Sequence, residues 1–470
     1  MDNAHPANIN PPRPPVHCIG AGLAGAEASW QLARQGIPVV LTDMKPLQFT
    51  PAHHSPYMAE LVCSNSLRGD RVDNAPGLLK AELRRVGSLI MACADGNRVK
   101  AGGALAVDRE AFARAVTEAI MAHPLIETRC AEMREIPQGD VIVATGPLTS
   151  DAMAGAITRF FGGASTLFFY DAAAPLILSD SVDMRHAFWG SRYGRGSDDD
   201  DDYLNCPLDR EGYLAFRDAL CTARQAPVHG FEDGHVFEGC LPVEVLARRG
   251  EDALRYGPLR PVGLRNLQTG QRYYAVLQLR RDNAAGDVYN LVGCQTHLTF
   301  SEQRRVFGLV PALRDAEFLR YGVMHRNTYL DSPRLLTRHF EARREPRVSF
   351  AGQMTGVEGY VESAASGFLA GVALARKRLG LPSIDWPGET ALGALAGYIS
   401  NPAVTDFQPM NINFGLLAPI QTTVKGKQAR RQAQAARALG KVEEILTGYG
   451  LRPTGGEELG AGGGGGVSAL

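Results

Sequence analysis

The run Gly20-Ala21-Gly22-Leu23-Ala24-Gly25 constrains this chain more than any other stretch of it. It follows a short apolar segment, Val16-His17-Cys18-Ile19, that reads as a strand, and it opens a segment from Ala24 to Gln35 that reads as a helix. Gly36 suits the left-handed residue that closes such a helix. Ile37 to Asp43 then reads as a second strand, with Pro38 tolerated near its start. A strand, a glycine turn, a helix and a strand ending in an acid form the dinucleotide-binding unit. Gly20 permits the tight turn, Gly22 lets backbone approach a pyrophosphate, and Gly25 lets helix and strand pack closely. The helix start offers N–H groups and a positive dipole end to phosphate, and Asp43 can accept hydrogen bonds from ribose hydroxyls. All six residues of the turn, with Asp43, are therefore candidate cofactor contacts.

Two later segments decide between nicotinamide and flavin. Val141 to Gly146 reads as a strand whose end, Ala144-Thr145-Gly146-Pro147, brings backbone to the nucleotide again. Val348-Ser349-Phe350-Ala351-Gly352 is another strand-to-glycine turn, and Gly352-Gln353-Met354-Thr355-Gly356 precedes a small-residue helix from Glu358 to Arg378. A flavin carries a long ribityl and isoalloxazine arm, and a second helix start suits it. Thr145, Gly146, Gly352, Gln353, Thr355 and Gly356 join the candidate contacts for FAD. No second strand–GxGxxG–helix unit exists, so NADPH or NADH is expected only as a transient co-substrate. The three-part layout resembles the glutathione-reductase-type flavoproteins. The fold class expected is α/β, a Rossmann-like FAD-binding domain of that type with an inserted α+β domain.

A chain of 470 residues is too long for one compact core. Residues 1–15, with four prolines, read as a disordered tail. Residues 16–175 read as the first part of the FAD-binding domain, 176–324 as an inserted substrate or RNA domain, and 325–450 as the second part, ending in a basic helix. Residues 451–470 read as a Gly-rich disordered tail, and Asp198 to Asp202 as a solvated loop. No window approaches eighteen apolar residues and the N-terminus lacks a signal-peptide pattern, so a cytoplasmic protein without a membrane span is expected. The eight cysteines include no CxxC pair, which leaves no metal-ligand spacing. A net charge of −1 gives no global attraction to nucleic acid. RNA contact must come from local patches: the six cations from Lys425 to Lys441, or more weakly Arg280-Arg281 and Arg304-Arg305.

Longer stretches go beyond fold. They are Ala59-Glu60-Leu61-Val62-Cys63-Ser64-Asn65-Ser66-Leu67-Arg68, Ser191 to Gly196, Phe237-Glu238-Gly239-Cys240-Leu241-Pro242-Val243-Glu244, and Arg320-Tyr321-Gly322-Val323-Met324-His325-Arg326-Asn327-Thr328-Tyr329. With the segment Ala351–Gly371 they resemble the folate- and FAD-dependent tRNA (uracil-5-)-methyltransferase family, TrmFO, from about Val16 to Gly450. That family is a relative of the wobble-uridine-modifying flavoprotein GidA/MnmG, which is longer at its C-terminus. The resemblance implies ribothymidine formation in the tRNA T-loop, with methylenetetrahydrofolate giving the carbon and leaving as tetrahydrofolate, and with no obligatory protein partner. It also implies two catalytic cysteines, here Cys63 and Cys240. The chemistry can use both: one thiolate adds to carbon 6 of uracil and makes carbon 5 nucleophilic, while another group handles the carbon 5 proton. We expect Cys240 to add to uracil and Cys63 to act on the flavin side or as base. Arg68, Arg248 and Arg249 are the cations nearest in sequence to these thiols, and Glu238 and Glu244 would oppose ionisation of Cys240. Ribosomal RNA as target, wobble-uridine modification, an inactive scaffold and a small-molecule flavin oxidoreductase are the rival readings.

Overall fold

The computed structural model describes residues 14–50, 52–163, 166–194, 202–226, 241–266, 269–404, 407–421 and 424–451. The Pro-rich start, most of the acidic run, the segment carrying Glu238 and Cys240, and the Gly-rich end lie outside these residues.

Among the described residues, a parallel sheet of five strands forms the centre of the larger core. Its order is Val348–Phe350, Val141–Val143, Val16–Ile19, Val39–Asp43, Ile126–Cys130. The inner strands are apolar on both faces, as a sheet covered by helices on both sides requires. The first helix, Leu23–Arg34, and the long helix Tyr360–Leu379 cross at small residues. A Cβ on Gly367 would lie 2.2 Å from the Ala24 carbonyl oxygen, and one on Gly371 would lie 2.8 Å from that of Ala28. Only glycine allows the two backbones this approach. The flavin-type segment differs in one detail from its sequence reading. A 3-10 turn, Gln353–Thr355, and two positive-φ glycines, Gly356 and Gly359, separate the strand from the helix, which starts at Tyr360.

A second, antiparallel sheet of six strands runs in the order Phe188–Trp189, Tyr203–Leu208, Ala275–Arg281, Val288–Leu291, Leu176–Leu178, Phe318–Arg320. It has its own apolar core, in which Leu204, Leu277, Leu279 and Leu291 pack with Phe216 and Phe307 from helices Arg210–Thr222 and Phe300–Phe307. An antiparallel ladder of Thr166–Ala172 with Met324–Leu330 leads from the first core into the second and back. The basic C-terminal segment forms the helix Lys427–Gly448, and its apolar face, including Ala435, Ala438 and Val442, joins the larger core.

Candidate functional site

The glycine turn is held as its sequence suggests. Gly20 has φ of +97°, and a Cβ on Gly25 would stand 1.8 Å from the Gly20 carbonyl oxygen. Nothing lies within 4 Å of a Cβ placed on Gly22, so the backbone there faces open space. No side chain caps the first helix, and its leading N–H groups have no intrahelical acceptor. That is the donor set a pyrophosphate needs.

This turn forms one wall of a groove of about 1120 Å³, open solvent included. Gly20, Gly22, Leu23, Ala24, Asp43, Thr145, Gly146, Gly352 and Gln353 all line it. Its volume is at the upper end of ligand pockets, roughly 300–1,000 Å³. Ala21, Gly25, Thr355 and Gly356 stand behind the wall. The Thr355 hydroxyl donates to the Gly352 carbonyl, and a Cβ on Gly356 would meet the Phe407 ring at 2.3 Å. Asp43 already accepts from the N–H groups of Ala21 (2.6 Å) and Lys45 (2.8 Å). Its carboxylate therefore braces the turn as well as facing the groove. The open Gly22 backbone, the uncapped helix start and a carboxylate beside them fit the phosphate and ribose parts of FAD.

Sequence reasoning missed the loop that closes one side. Lys45 pairs with Glu60 at 3.4 Å and donates to the carbonyls of Ser55 and Tyr57. His53, whose ring is held below its ordinary pKa chiefly by burial, shares a 2.6 Å hydrogen bond with the Thr50 hydroxyl. No motif announces these residues.

At the other end the groove meets the Cys63 segment. Val62 and Tyr360 line the wall. The Tyr360 phenol oxygen accepts from the N–H groups of Cys63 (2.8 Å) and Ser64 (3.1 Å). Burial, with the Cys63 charge adding to it, pushes the phenol well above its ordinary range. Tyr360 opens the long helix, so one residue joins the flavin-type segment to the thiol segment.

The second sheet reaches the same place. Arg280 donates to the side chains of Asn65 (2.9 Å) and Ser64 (2.7 Å). Asp282 takes a two-bond fork from Arg109, at 3.0 and 2.7 Å, and Arg109 also donates to the Leu61 carbonyl. Arg280 is thus a buried structural cation, not an RNA contact. Arg68, the cation nearest to Cys63 in sequence, turns instead to Glu362 at 3.3 Å. Arg248 donates to the Cys221 carbonyl. Glu244 is buried and accepts from the Thr296 hydroxyl and the His297 N–H, both at 2.9 Å. Cys240 itself lies outside the described residues. Of the other thiols, burial raises Cys18, Cys93 and Cys294 to about 12, which suits inert core residues.

The candidate RNA patches divide. Lys425, Lys427 and Arg430 are exposed. Arg437 is tied to the carbonyls of Ala418 and Pro419, Arg431 lies over the Phe414 ring, and Lys441 pairs with Glu444. Arg304 donates to the Tyr321 hydroxyl and Arg305 pairs with Glu302. Among the described residues no group of three or more His, Cys, Asp or Glu is placed to hold a metal ion, and no helix is long and apolar enough to cross a membrane.

Comparison with known proteins agrees with this geometry. A family model described as glucose inhibited division protein A matches residues 15–382. A relative from Desulfitobacterium hafniense, named methylenetetrahydrofolate–tRNA-(uracil-5-)-methyltransferase TrmFO, is 53% identical over 93% of this chain and 99% of its own. A relative of the same name from Moorella thermoacetica is 57% identical over 90% of this chain and 96% of its own. The solved structure of Aquifex aeolicus GidA superposes with a TM-score of 0.67 at 15% identity, over 93% of this chain and 77% of that one, and shows the shared fold. Matched at this level from end to end, the chain belongs to the TrmFO family, within the wider glucose inhibited division protein A group.

Proposed function

We propose that this chain is a methylenetetrahydrofolate–tRNA-(uracil-5-)-methyltransferase, which carries the folate methylene to carbon 5 of the T-loop uridine of tRNA, reduces it to methyl and gives ribothymidine. FAD is its cofactor and NADPH or NADH the electron source. The observation that carries the reading is Tyr360. It lines the nucleotide groove and also holds the backbone of Cys63, so a flavin bound along the groove and a reactive thiol share one site.

FAD, when bound and reduced, supplies hydride and one-carbon carriage. The glycine turn, Asp43, Thr145, Gly146, Gly352 and Gln353 hold it, while Ala21, Gly25, Thr355 and Gly356 keep the backbone in shape. Cys240 adds through its thiolate to carbon 6 of uracil, and the pair of electrons displaced makes carbon 5 the nucleophile. Cys63 removes the carbon 5 proton, after which elimination releases Cys240. The target uridine must leave its stacked position to reach these groups. Residues 16–175 and 325–450 form the FAD-binding domain in this reading, and 176–324 the substrate domain. Folate and tRNA as substrates place the enzyme in the cytoplasm.

Purified protein, unmodified tRNA, methylenetetrahydrofolate labelled in its methylene group and NADPH are incubated without oxygen, and the RNA is digested to nucleosides. Labelled ribothymidine is the expected product. Label in a wobble-position nucleoside, or none in RNA while NADPH is consumed, contradicts the reading.

A further inference from the structure

Three guanidinium groups converge on the segment Leu61–Asn65, and they are not used alike. Arg109 is neutralised by its fork on Asp282. Arg280 spends its donors on the neutral side chains of Asn65 and Ser64. Arg320 is different: its Nε and Nη2 atoms are buried, and neither has a hydrogen-bond partner among the described residues. These two atoms form the same edge with which Arg109 grips Asp282.

A buried guanidinium short of partners is costly, and such a group persists where its charge has a use. The charges that bear on Arg320 are Arg109, Asp282, Tyr360 and Cys63, and burial weakens its own hold on the proton. Asp282 is already taken by Arg109. Tyr360 stays neutral, because burial raises its phenol and two backbone N–H groups occupy its oxygen. That leaves Cys63 as the group able to become an anion near neutral pH. The position of Arg320 is fixed from both sides. It ends the edge strand Phe318–Arg320, where it pairs with Leu176. The rings of Phe318 and Tyr321 stack at 5.0 Å and 8°, and Phe300 continues the stack at 4.6 Å and 14°.

We propose that Arg320 is a positioning residue that supplies the counter-charge for Cys63 as a thiolate. The step it serves is proton removal. The Cys63 thiol loses its proton to solvent, the thiolate is held opposite Arg320, and the same thiolate later takes the carbon 5 proton of the uracil. No electrons are exchanged with Arg320. The proposal rests on the reading above that Cys63 is a working thiol, and its test separates the two.

The test is the pH dependence of Cys63 alkylation by iodoacetamide in the FAD-loaded enzyme, followed by mass spectrometry of the Cys63 peptide, so that the exposed Cys130 does not interfere. Wild type should react with a midpoint below the ordinary thiol value of about 8.5. Arg320→Met should raise the midpoint by about one unit and slow alkylation near neutral pH by about tenfold. Arg320→Lys, which keeps the charge and loses the fork, should hold the midpoint close to wild type. Arg320→Gln replaces Met in the comparison if the Met variant does not retain flavin. An unchanged midpoint in the flavin-loaded uncharged variant overturns the proposal. So does an unchanged midpoint with a raised KM for methylenetetrahydrofolate, which would make Arg320 a folate contact. In either case methyl transfer by wild type still stands or falls separately.

Discussion

The two ends of the groove are built by opposite means. At the nucleotide end the contacts are backbone: Gly20, Gly22 and Gly352 offer main-chain atoms, and glycine packing fixes them to within tenths of an ångström. At the thiol end the contacts are side chains from distant elements, with Arg109, Arg280, Asp282, Arg320 and Tyr360 all brought to one five-residue loop. The first end recognises a cofactor that is always the same. The second handles a proton and a thiol, where charge must be graded, and only side chains can do that.

This contrast can be broken experimentally, beginning with the largest effect. Cys63→Ala should lower methyl transfer by about 10²–10⁴-fold, the range for loss of an acid–base group, and leave flavin content unchanged. Loss of flavin would mean that the two ends are not separable. Asp282→Ala should destabilise the protein by about 3–5 kcal/mol in urea unfolding, because it leaves Arg109 buried without its carboxylate. Gly25→Ala should reverse the pattern. It costs about 1–3 kcal/mol, since the new methyl collides with backbone, and it should deplete flavin absorbance in the purified protein. Tyr360→Phe should cost least, about 1–3 kcal/mol for the lost acceptor. It should keep flavin and slow methyl transfer, and normal turnover would detach Tyr360 from the Cys63 segment.

The same contrast explains how far the sequence could be read. The strand, turn and helix from Val16 to Arg34 are legible because glycine spacing is a local backbone requirement, and the observed helix starts within a residue of the expected one. The thiol end was legible only as a family resemblance that pointed to Cys63. Its partners were not, since Tyr360 is 297 positions from Cys63 along the chain. Proximity in sequence misdirected as well: Arg68 turns to Glu362, and Arg280, read as a weak RNA contact, is a buried brace for Ser64 and Asn65. Asp43 shows a milder shift, because a residue read as a ribose acceptor is also the brace of its own turn. Thr355 and Gly356 belong to the right segment but shape the wall from behind.

The central claim is that flavin groove and thiol loop serve one reaction, and its stoichiometry tests this most directly. Enzyme with its FAD fully reduced is mixed without oxygen with methylenetetrahydrofolate and unmodified tRNA, with no nicotinamide present. Flavin absorbance and ribothymidine are followed together. Converting a methylene to a methyl group takes one electron pair, so one ribothymidine should form for each flavin oxidised. Ribothymidine formed while the flavin stays reduced, or flavin oxidised with no ribothymidine, would contradict the account.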